Sequence, residues 1–373
     1  MKIIAAPNSF KESLSAIEIA RIIKETLTGI SKNFEVIEFP VGDGGDGTLE
    51  AVVYSGKGEF KKFKVHGPLM EPVVARIGLL GNGKIAFVEM AEASGLKLVP
   101  PEKRNPLYTT TYGTGELIKN AIKLGVNEII LGVGGSATVD GGIGALSAIG
   151  FKFLDENGDE VPPNGKGLIT FRKIIPPREL PKVRIRIAVD VMNPLLGENG
   201  AVRVYGPQKG LRPEYFEAFE TGLKRLRDEI LKLTGRDIDI EGAGAAGGIA
   251  GSFYGLLGAE IESGIELVLE TLKFDDLLHK GVDLVITGEG KLDYQTLFGK
   301  APLGVARHAR EKGIPVIALA GAIENEDKLI SHFDAIFPIV RGPVSLEDAL
   351  KNARENLSNT IRSLGKVLSI LEC

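Results

Sequence analysis

Short apolar runs that end in polar, glycine-rich loops recur at both ends of the chain. Residues 1–57 contain the strand KIIAA, the amphipathic helix SAIEIARIIKETL, the strand FEVIEFP and the helix TLEAVVYS. The C-terminal part contains the strands VDLVITGEG, PVIALAGA and FDAIFPIV, the helix APLGVARHAREKG and one closing helix over LEDALKNARENLSNTIRSLGKVL. Strands that alternate with helices predict a parallel, doubly wound α/β sheet built from both chain ends.

The middle of the chain has a different rhythm, which predicts an inserted domain. Three strand-like runs, EFKKFKVHG, PVVARIGLL and KIAFVEM, follow one another with no helix between them. This pattern is typical of antiparallel or mixed pairing. The length of 373 residues also favours two domains. We therefore expect one α/β domain from residues 1–57 and 265–373, and an inserted α/β domain of mixed pairing over residues 58–264.

The charge balance indicates a small-molecule ligand, with no nucleic-acid or membrane partner. The 45 basic and 49 acidic residues are mixed along the chain and give a net charge of −4, so there is no extended basic field. The only cysteine, Cys373, excludes an internal disulfide framework and a cysteine-based zinc cluster. The N-terminus lacks the apolar core of a signal peptide, and no apolar run could span a membrane. We expect a soluble, cytoplasmic protein, and the sequence gives no signal for its oligomeric state.

Four polar segments, PNSFK, GDGGDGT, TGEGKLD and AGAIEN, each follow an apolar strand of the predicted sheet. Ligands of doubly wound sheets bind outside the carboxyl ends of the strands. We therefore expect these segments to converge on one edge, in a cleft that faces the inserted domain.

The first two segments carry charged candidates. Lys11 lies just past the first strand, where it could meet anionic oxygens or be a solvated lysine beside a helix N-cap. Asp43 and Asp46 could bind Mg²⁺ or accept a substrate proton, although Asp-Gly is also a common turn pair.

The stretch TGEGKLDYQT with FGKAP supplies Glu289, Asp293, Gln295 and Lys300 after the strand VDLVI. FGKAP does not match the Walker pattern G-x-x-x-x-G-K-[ST], so the chain has no P-loop. The histidines lie outside every motif, which argues against a histidine base or a histidine metal site: His66, His279, His308 and His332.

Three further motifs lie in the predicted inserted domain. GVGGSATVDGG offers backbone amides, two hydroxyls and Asp140 at a strand-to-helix junction, which could be an anion site or a tight structural turn. AVDVMNPLLGENGA places Asp190 at a strand end, as a site residue or an N-cap, with Asn193 after it, and GPQKG carries Lys209. GAGAAGG matches the dinucleotide pattern G-x-G-x-x-G after the strand-like run DIDIE, but it lies too deep in the chain to open a domain.

Glycine loops, lysines and carboxylates without a histidine base are typical of phosphoryl transfer. That chemistry requires positioned amides, cations and carboxylate-held Mg²⁺, with an aspartate that takes the proton of the acceptor hydroxyl. A dinucleotide-dependent oxidoreductase that uses GAGAAGG, and a non-catalytic sensor of small acids, are the alternatives.

Taken in order, PNSFKESLSA, VGDGGDGT, TYGTGELI, GVGGSATVDGG, AVDVMNPLLGENGA, GPQKG, GAGAAGG, LVITGEGKLDYQT and GKAPLGVA resemble the bacterial type I glycerate kinase family. The resemblance implies ATP- and Mg²⁺-dependent phosphorylation of D-glycerate, generally to 2-phosphoglycerate. Formation of 3-phosphoglycerate or use of a related hydroxy acid remains the alternative. It also implies two α/β domains, one of them flavodoxin-like, with the active site between them.

Four residues depart from the motifs PDSFKGS, DGGEGT and SATND that the family usually shows: Asn8, Glu12, Asp46 and Val139. Asn8 lacks the charge of a metal ligand, and Val139 lacks the side-chain amide that could contact a ligand.

Within this resemblance we assign roles as a hypothesis. Asp190 or Asp43 accepts the hydroxyl proton, Glu289 and Asp293 hold Mg²⁺, and Lys11 meets the transferring phosphate or the glycerate carboxylate. Predicted substrate contacts are Ser9, Lys11, Asn193, Lys209, Gln295 and Lys300. Predicted nucleotide contacts are Gly134, Gly135, Ser136, Thr138, Gly242, Gly244 and Gly247.

Overall fold

The computed structural model describes residues 1–371, without the side chains of Gln295, Phe298 and Leu371. The strands are β1 (Lys2–Pro7), β2 (Glu35–Glu38), β3 (Glu59–His66), β4 (Pro72–Leu80), β5 (Ile85–Glu89), β6 (Glu128–Gly132), β7 (Lys152–Leu154), β8 (Lys173–Ile175), β9 (Arg184–Val189), β10 (Glu260–Ser263), β11 (Leu284–Leu292), β12 (Val316–Ile323) and β13 (Ala335–Pro338).

The α-helices connect these strands. They are α1 (Ala16–Ile30), α2 (Thr48–Ser55), α3 (Ala91–Ser94), α4 (Tyr112–Lys123), α5 (Ile143–Ile149), α6 (Gly165–Thr170), α7 (Ala201–Tyr205), α8 (Phe216–Thr234), α9 (Ile249–Leu257), α10 (Gly264–Thr271), α11 (Phe274–Leu278), α12 (Ala301–Glu311), α13 (Glu326–Leu329), α14 (Leu346–Lys351) and α15 (Ala353–Leu371). Within residues 1–371, no helix combines the length and apolar composition that a membrane span requires.

The chain divides into two compact units. Unit 1 comprises Met1–Asp43, Glu50–Lys57 and Ser263–Cys373, and unit 2 comprises Gly44–Leu49 and Gly58–Glu262. The division differs from the expected one mainly in residues 44–49, which belong to unit 2. The physical reason is Glu89, a buried carboxylate at the end of β5 that accepts hydrogen bonds from the backbone of Gly47 (3.2 Å) and Leu49 (2.8 Å).

Unit 1 contains a five-stranded sheet in the order β13-β12-β11-β1-β2, and the paired strands are parallel. Numbered along unit 1 alone, this order is 2-1-3-4-5, which is that of flavodoxin-like folds. The expected α/β class with a parallel sheet is confirmed.

Apolar cores cover both faces of the unit 1 sheet. Along β1, Ile3 and Ala5 pack into one cluster, with residues of α1 and α15, whereas Ile4 and Ala6 pack into the other, with residues of α10, α11 and α12. Strands with both faces buried become continuously apolar, which is why the run KIIAA was recognisable in the sequence. Ser15 starts α1 through a capping box with Glu18.

Unit 2 contains a six-stranded mixed sheet in the order β10-β9-β6-β5-β4-β3, and a small two-stranded antiparallel sheet of β7 and β8. Strands β3, β4 and β5 pair antiparallel, as their direct succession in the sequence predicted, whereas β5, β6 and β9 pair in parallel. One large apolar core contains side chains from these strands and from α4, α5, α8 and α9.

Two local predictions were wrong. The closing helix is interrupted at Asn352, which has φ −98° and ψ 12° and separates α14 from α15. The run DIDIE forms no strand, because its acidic side chains bind the backbone instead: Asp237 accepts from the amide of Asp239, and Asp239 accepts from the amide of Leu196.

Candidate active site

A cluster of carboxylates lies at the carboxyl edge of the unit 1 sheet. Glu289 belongs to the C-terminal half of β11, and Asp293 follows that strand directly. The ammonium group of Lys300, at the start of α12, lies 3.9 Å from a carboxylate oxygen of each. We call Asp43, Glu289, Asp293 and Lys300 the carboxylate cluster, because the charge of Asp43 also acts on Glu289.

Glu289 is the most buried acid of this cluster, with 7% of its surface exposed. Burial raises the pKa of Glu289 to about 7; Lys300 and the Thr296 hydroxyl oppose this shift, and the charges of Asp43 and Asp293 add to it. Thr296 Oγ1 donates to Glu289 Oε1 at 2.8 Å. At neutral pH this carboxyl group can therefore gain or lose a proton at little cost.

Asp43 is oriented by Asn8, which follows β1. Asn8 Oδ1 accepts from the backbone amide of Ser9 at 2.7 Å, so its amide nitrogen faces Asp43 and donates to Oδ2 at 3.2 Å. The position where the sequence departs from PDSFKGS is therefore filled by a hydrogen-bond donor to a predicted base. Asp46 forms an ion pair of 2.7 Å with Lys97, and both residues belong to unit 2.

The remaining unit 1 candidates lie in the loop after β1 and in the segment after β11. Ser9 is half-buried and Lys11 is exposed, and a Cβ on Gly290 of β11 would lie 3.3 Å from the backbone nitrogen of Lys11. This places Lys11 beside the strand that carries Glu289. The predicted substrate contact of Gln295 concerns a side chain outside the described residues.

Unit 2 brings three glycine loops together: loop A (residues 44–48), loop B (residues 133–142) and loop C (residues 242–248). Gly134 of loop B donates to Gly44 of loop A at 3.0 Å, and a Cβ on Gly134 would lie 2.4 Å from Gly45 Cα. Gly141 donates to Gly247 of loop C at 3.0 Å. The glycines thus allow three backbones to pack closely against one another.

This packing uses some of the amides that were expected to cradle phosphates. The Gly134 amide is bonded to loop A, and the Gly244 amide donates to the Asn193 carbonyl at 3.0 Å. At Gly135 the bonded group is the carbonyl, which accepts from the Leu96 amide at 2.8 Å. Gly242 adopts a left-handed conformation, with φ +78°.

Loop B also contains buried polar side chains. Ser136 and Thr138 are 6% and 0% exposed, and Thr138 Oγ1 has no hydrogen-bond partner among the residues that the structure describes. Asp140 accepts from the Thr111 backbone and hydroxyl and from the amides of Gly142 and Gly144, and burial raises its pKa despite these bonds. Val139 packs in the apolar core, so that position does not face a ligand.

Lys209 is buried against loop B. Its exposed fraction is 3%, and Nζ donates to Ser136 Oγ and to the Thr138 carbonyl, both at 2.7 Å. Burial lowers the pKa of Lys209 to about 7, while the charge of Asp140 opposes this shift.

Asp190 and Asn193 follow β9, and the structure gives them different surroundings. Asp190 is exposed, whereas Asn193 Oδ1 accepts from the Tyr205 hydroxyl, and its amide group donates to the Asn199 carbonyl at 2.8 Å. Burial raises the pKa of Tyr205 to about 12, and the charge of Asp190 adds to this shift. Tyr205 was missed in the sequence, although it stands directly before GPQKG.

One histidine, His308, is held between two carboxylates. His308 lies between Glu266 (2.9 Å) and Asp275 (2.8 Å), and the hydrogen bond to Glu266 is the main reason that its pKa rises to about 9.

Loop C does not follow a strand, so GAGAAGG lacks the strand–turn–helix context of a dinucleotide fingerprint.

Gly247 provides a test of loop packing. A Cβ on Gly247 would lie 2.3 Å from the Thr138 carbonyl, whereas Gly235 has nearly the same φ (+73° against +74°) and nothing within 4 Å. We expect Gly235→Ala to lower the free energy of unfolding by about 1 kcal/mol. Gly247→Ala should cost a further 1–3 kcal/mol, roughly, because of the overlap. Urea unfolding of both variants measures the difference, and equal losses would contradict close packing of loops B and C.

The parallel sheet with strand-end carboxylates and the packed glycine loops define an α/β protein of the doubly wound, ligand-binding class. The sequence model of the protein family described as "Glycerate kinase family" matches residues 3–369 of this chain. The chain therefore belongs to the glycerate kinase family.

Full-length relatives agree with this assignment. The glycerate kinase of Haemophilus influenzae is 44% identical over 99% of each chain. The glycerate 2-kinase of Escherichia coli K12 is 43% identical and covers 99% of this chain and 98% of its own. A crystal structure from Salmonella typhimurium LT2, provisionally named glycerate kinase 2, superposes with a TM-score of 0.88 at 43% identity, covering 100% of this chain and 99% of the other.

Proposed function

We propose that this protein transfers the terminal phosphoryl group of ATP to the 2-hydroxyl of D-glycerate. The observation that carries the proposal is full-length membership of the glycerate kinase family, with one relative named glycerate 2-kinase. The carboxylate cluster supports it, because phosphoryl transfer requires acids and cations at fixed positions and no covalent partner in the protein.

In this proposal Asp43 is the base. Its carboxylate is oriented by Asn8, and a proton acceptor must be held within hydrogen-bond reach of the hydroxyl that it activates. Lys11, Ser9 and Lys300 bind the carboxylate or phosphate oxygens of the reactants, and Asn193 and Gln295 are further substrate contacts. Loops B and C contribute Ser136, Thr138 and the remaining backbone amides to the nucleotide.

Glu289 and Asp293 fit Mg²⁺ by the chemistry of their donor atoms. Both offer carboxylate oxygens, and the burial of Glu289 makes its ionised form costly unless a cation lies near it. No group of three His, Cys, Asp or Glu side chains could hold a metal within the described part of the chain. Mg²⁺ needs only one or two protein carboxylates, since phosphates and water complete its shell. When bound, it would neutralise charge on the phosphates.

The test is a substrate survey followed by phosphorus NMR of the product. We expect ADP formation with D-glycerate and Mg²⁺, and much less with 3-hydroxypropionate, which lacks the 2-hydroxyl. The phosphorus of 2-phosphoglycerate couples to one proton on the attached carbon and gives a doublet, whereas that of 3-phosphoglycerate couples to two and gives a triplet. A triplet would assign the other hydroxyl, and no ADP with any hydroxy acid would refute the kinase.

A further inference from the structure

Lys209 is a charged side chain that the interior of unit 2 encloses almost completely. Its ammonium group spans loop B, donating to the side chain of Ser136 and to the main chain of Thr138 at 2.7 Å each. No salt bridge to Lys209 is present in the described part of the chain, so these two neutral acceptors are its hydrogen-bond partners. A buried ammonium is costly, and a loop that supplies both acceptors is correspondingly fixed.

Lys209 lies in a tightly packed turn. Lys209 ends the short 3₁₀ helix Pro207–Lys209, and Gly210 follows with φ +87°. A Cβ on Gly210 would lie 2.3 Å from the Arg104 carbonyl, so this turn is packed tightly against the backbone at Arg104.

The Thr138 carbonyl that accepts from Lys209 is also in contact with loop C. It lies against Gly247, where a Cβ would approach it to 2.3 Å. Lys209 from one side and loop C from the other therefore determine the direction of this peptide group and, with it, the conformation of residues 136–138.

We propose that Lys209 is a positioning residue that holds Ser136 and Thr138 in the conformation that binds nucleotide phosphates, and that its ammonium group does not contact glycerate. The proposal rests on the proposed function and changes the role that the sequence suggested for this lysine. Thr138 Oγ1 is buried and has no hydrogen-bond partner among the described residues. In this proposal a bound phosphate would accept a hydrogen bond from that hydroxyl group.

Lys209→Met tests this role, because methionine keeps an unbranched side chain of similar reach and removes the donors. We expect the KM for ATP, and the Kd for MgATP from titration calorimetry, to rise about 10- to 100-fold, the range of one or two charge-assisted hydrogen bonds. The KM for D-glycerate should change less than about twofold. Lys232→Met, on the exposed face of α8, is the matched control and should leave both constants unchanged.

Ser136→Ala provides a second variant that retains the lysine. It should raise the Kd for MgATP in the same direction, and the loss in the double variant Lys209→Met/Ser136→Ala should be smaller than the sum of the two single losses, since the two changes share the bond between Lys209 and Ser136. Additive losses, a rise confined to the KM for D-glycerate, or unchanged MgATP binding with only a lower melting temperature would each overturn the proposal. A wild-type protein that binds MgATP but phosphorylates nothing would instead refute the proposed function.

Discussion

Asp43→Asn is expected to lower kcat about 100- to 10,000-fold, because general-base catalysis contributes a factor of this size. Asparagine keeps the shape of the side chain but cannot take the proton of the glycerate hydroxyl. The KM for ATP should change little, since asparagine has nearly the same shape as aspartate and Asp43 is not among the predicted nucleotide contacts. Steady-state kinetics with both substrates measures this separation.

Asp190→Asn is the matched comparison for the base. Asp190 is exposed and follows β9, whereas Asp43 is half-buried and accepts a hydrogen bond from Asn8. We expect a loss in kcat of less than about tenfold for Asp190→Asn, since an exposed, hydrated carboxylate contributes less to proton transfer than a half-buried one. The reverse order would assign the base to Asp190, and wild-type turnover in both variants would exclude both assignments.

Most strands, and the longer helices at the two chain ends, could be predicted because their burial leaves a periodic pattern in the sequence. Strand β1 is apolar at consecutive positions since helices cover both faces of its sheet, whereas most of β3 is more exposed and carries lysines between its apolar residues. The run DIDIE misled because alternation alone does not distinguish a strand from a turn in which aspartates bind the backbone.

The candidate site was less predictable, because its properties depend on neighbours that are distant in the sequence. The strand ends identified Glu289 and Asp293, but no local signal shows that Glu289 is buried or that Thr296 donates to it. Lys209 was recognised as a candidate, yet its partners are 73 and 71 residues away. Its role in the fold could be found only from coordinates.

The glycine loops illustrate the same limit. Glycine-rich sequence after a strand is typical of phosphate sites, and it is equally required where backbones touch. Contacts among loops A, B and C account for several of these glycines without a ligand, since Gly134 meets Gly45, and Gly247 meets Thr138. Both requirements can hold in one loop, so the abundance of glycine is weaker evidence for phosphate binding than the sequence alone suggested.

Glu289→Gln is expected to remove Mg²⁺-dependent activity and, at the same time, to stabilise the protein. The pKa of Glu289 is raised from 4.5 to about 7, so the folded state binds more protons than the unfolded state between these pH values. Stability therefore falls as pH rises from 4.5 to 7, by up to about 3 kcal/mol. Glutamine removes this cost while keeping an oxygen for the Thr296 hydroxyl. At pH 8 urea unfolding should show a gain of about 1–3 kcal/mol, while the Mg²⁺ concentration for half-maximal activity rises at least about tenfold.

The pH dependence separates a metal ligand from a residue that only affects stability. In the wild type a proton competes with Mg²⁺ for Glu289, so apparent Mg²⁺ affinity should fall as pH decreases below 7, by up to about tenfold per unit. Asp293→Asn is the control, because Lys291 at 3.5 Å and Lys300 at 3.9 Å already compensate its charge. It should weaken Mg²⁺ binding without a comparable gain in stability. Unchanged Mg²⁺ dependence in Glu289→Gln would refute its role as a ligand, and a loss of stability at pH 8 would show that its carboxylate is not buried at a cost.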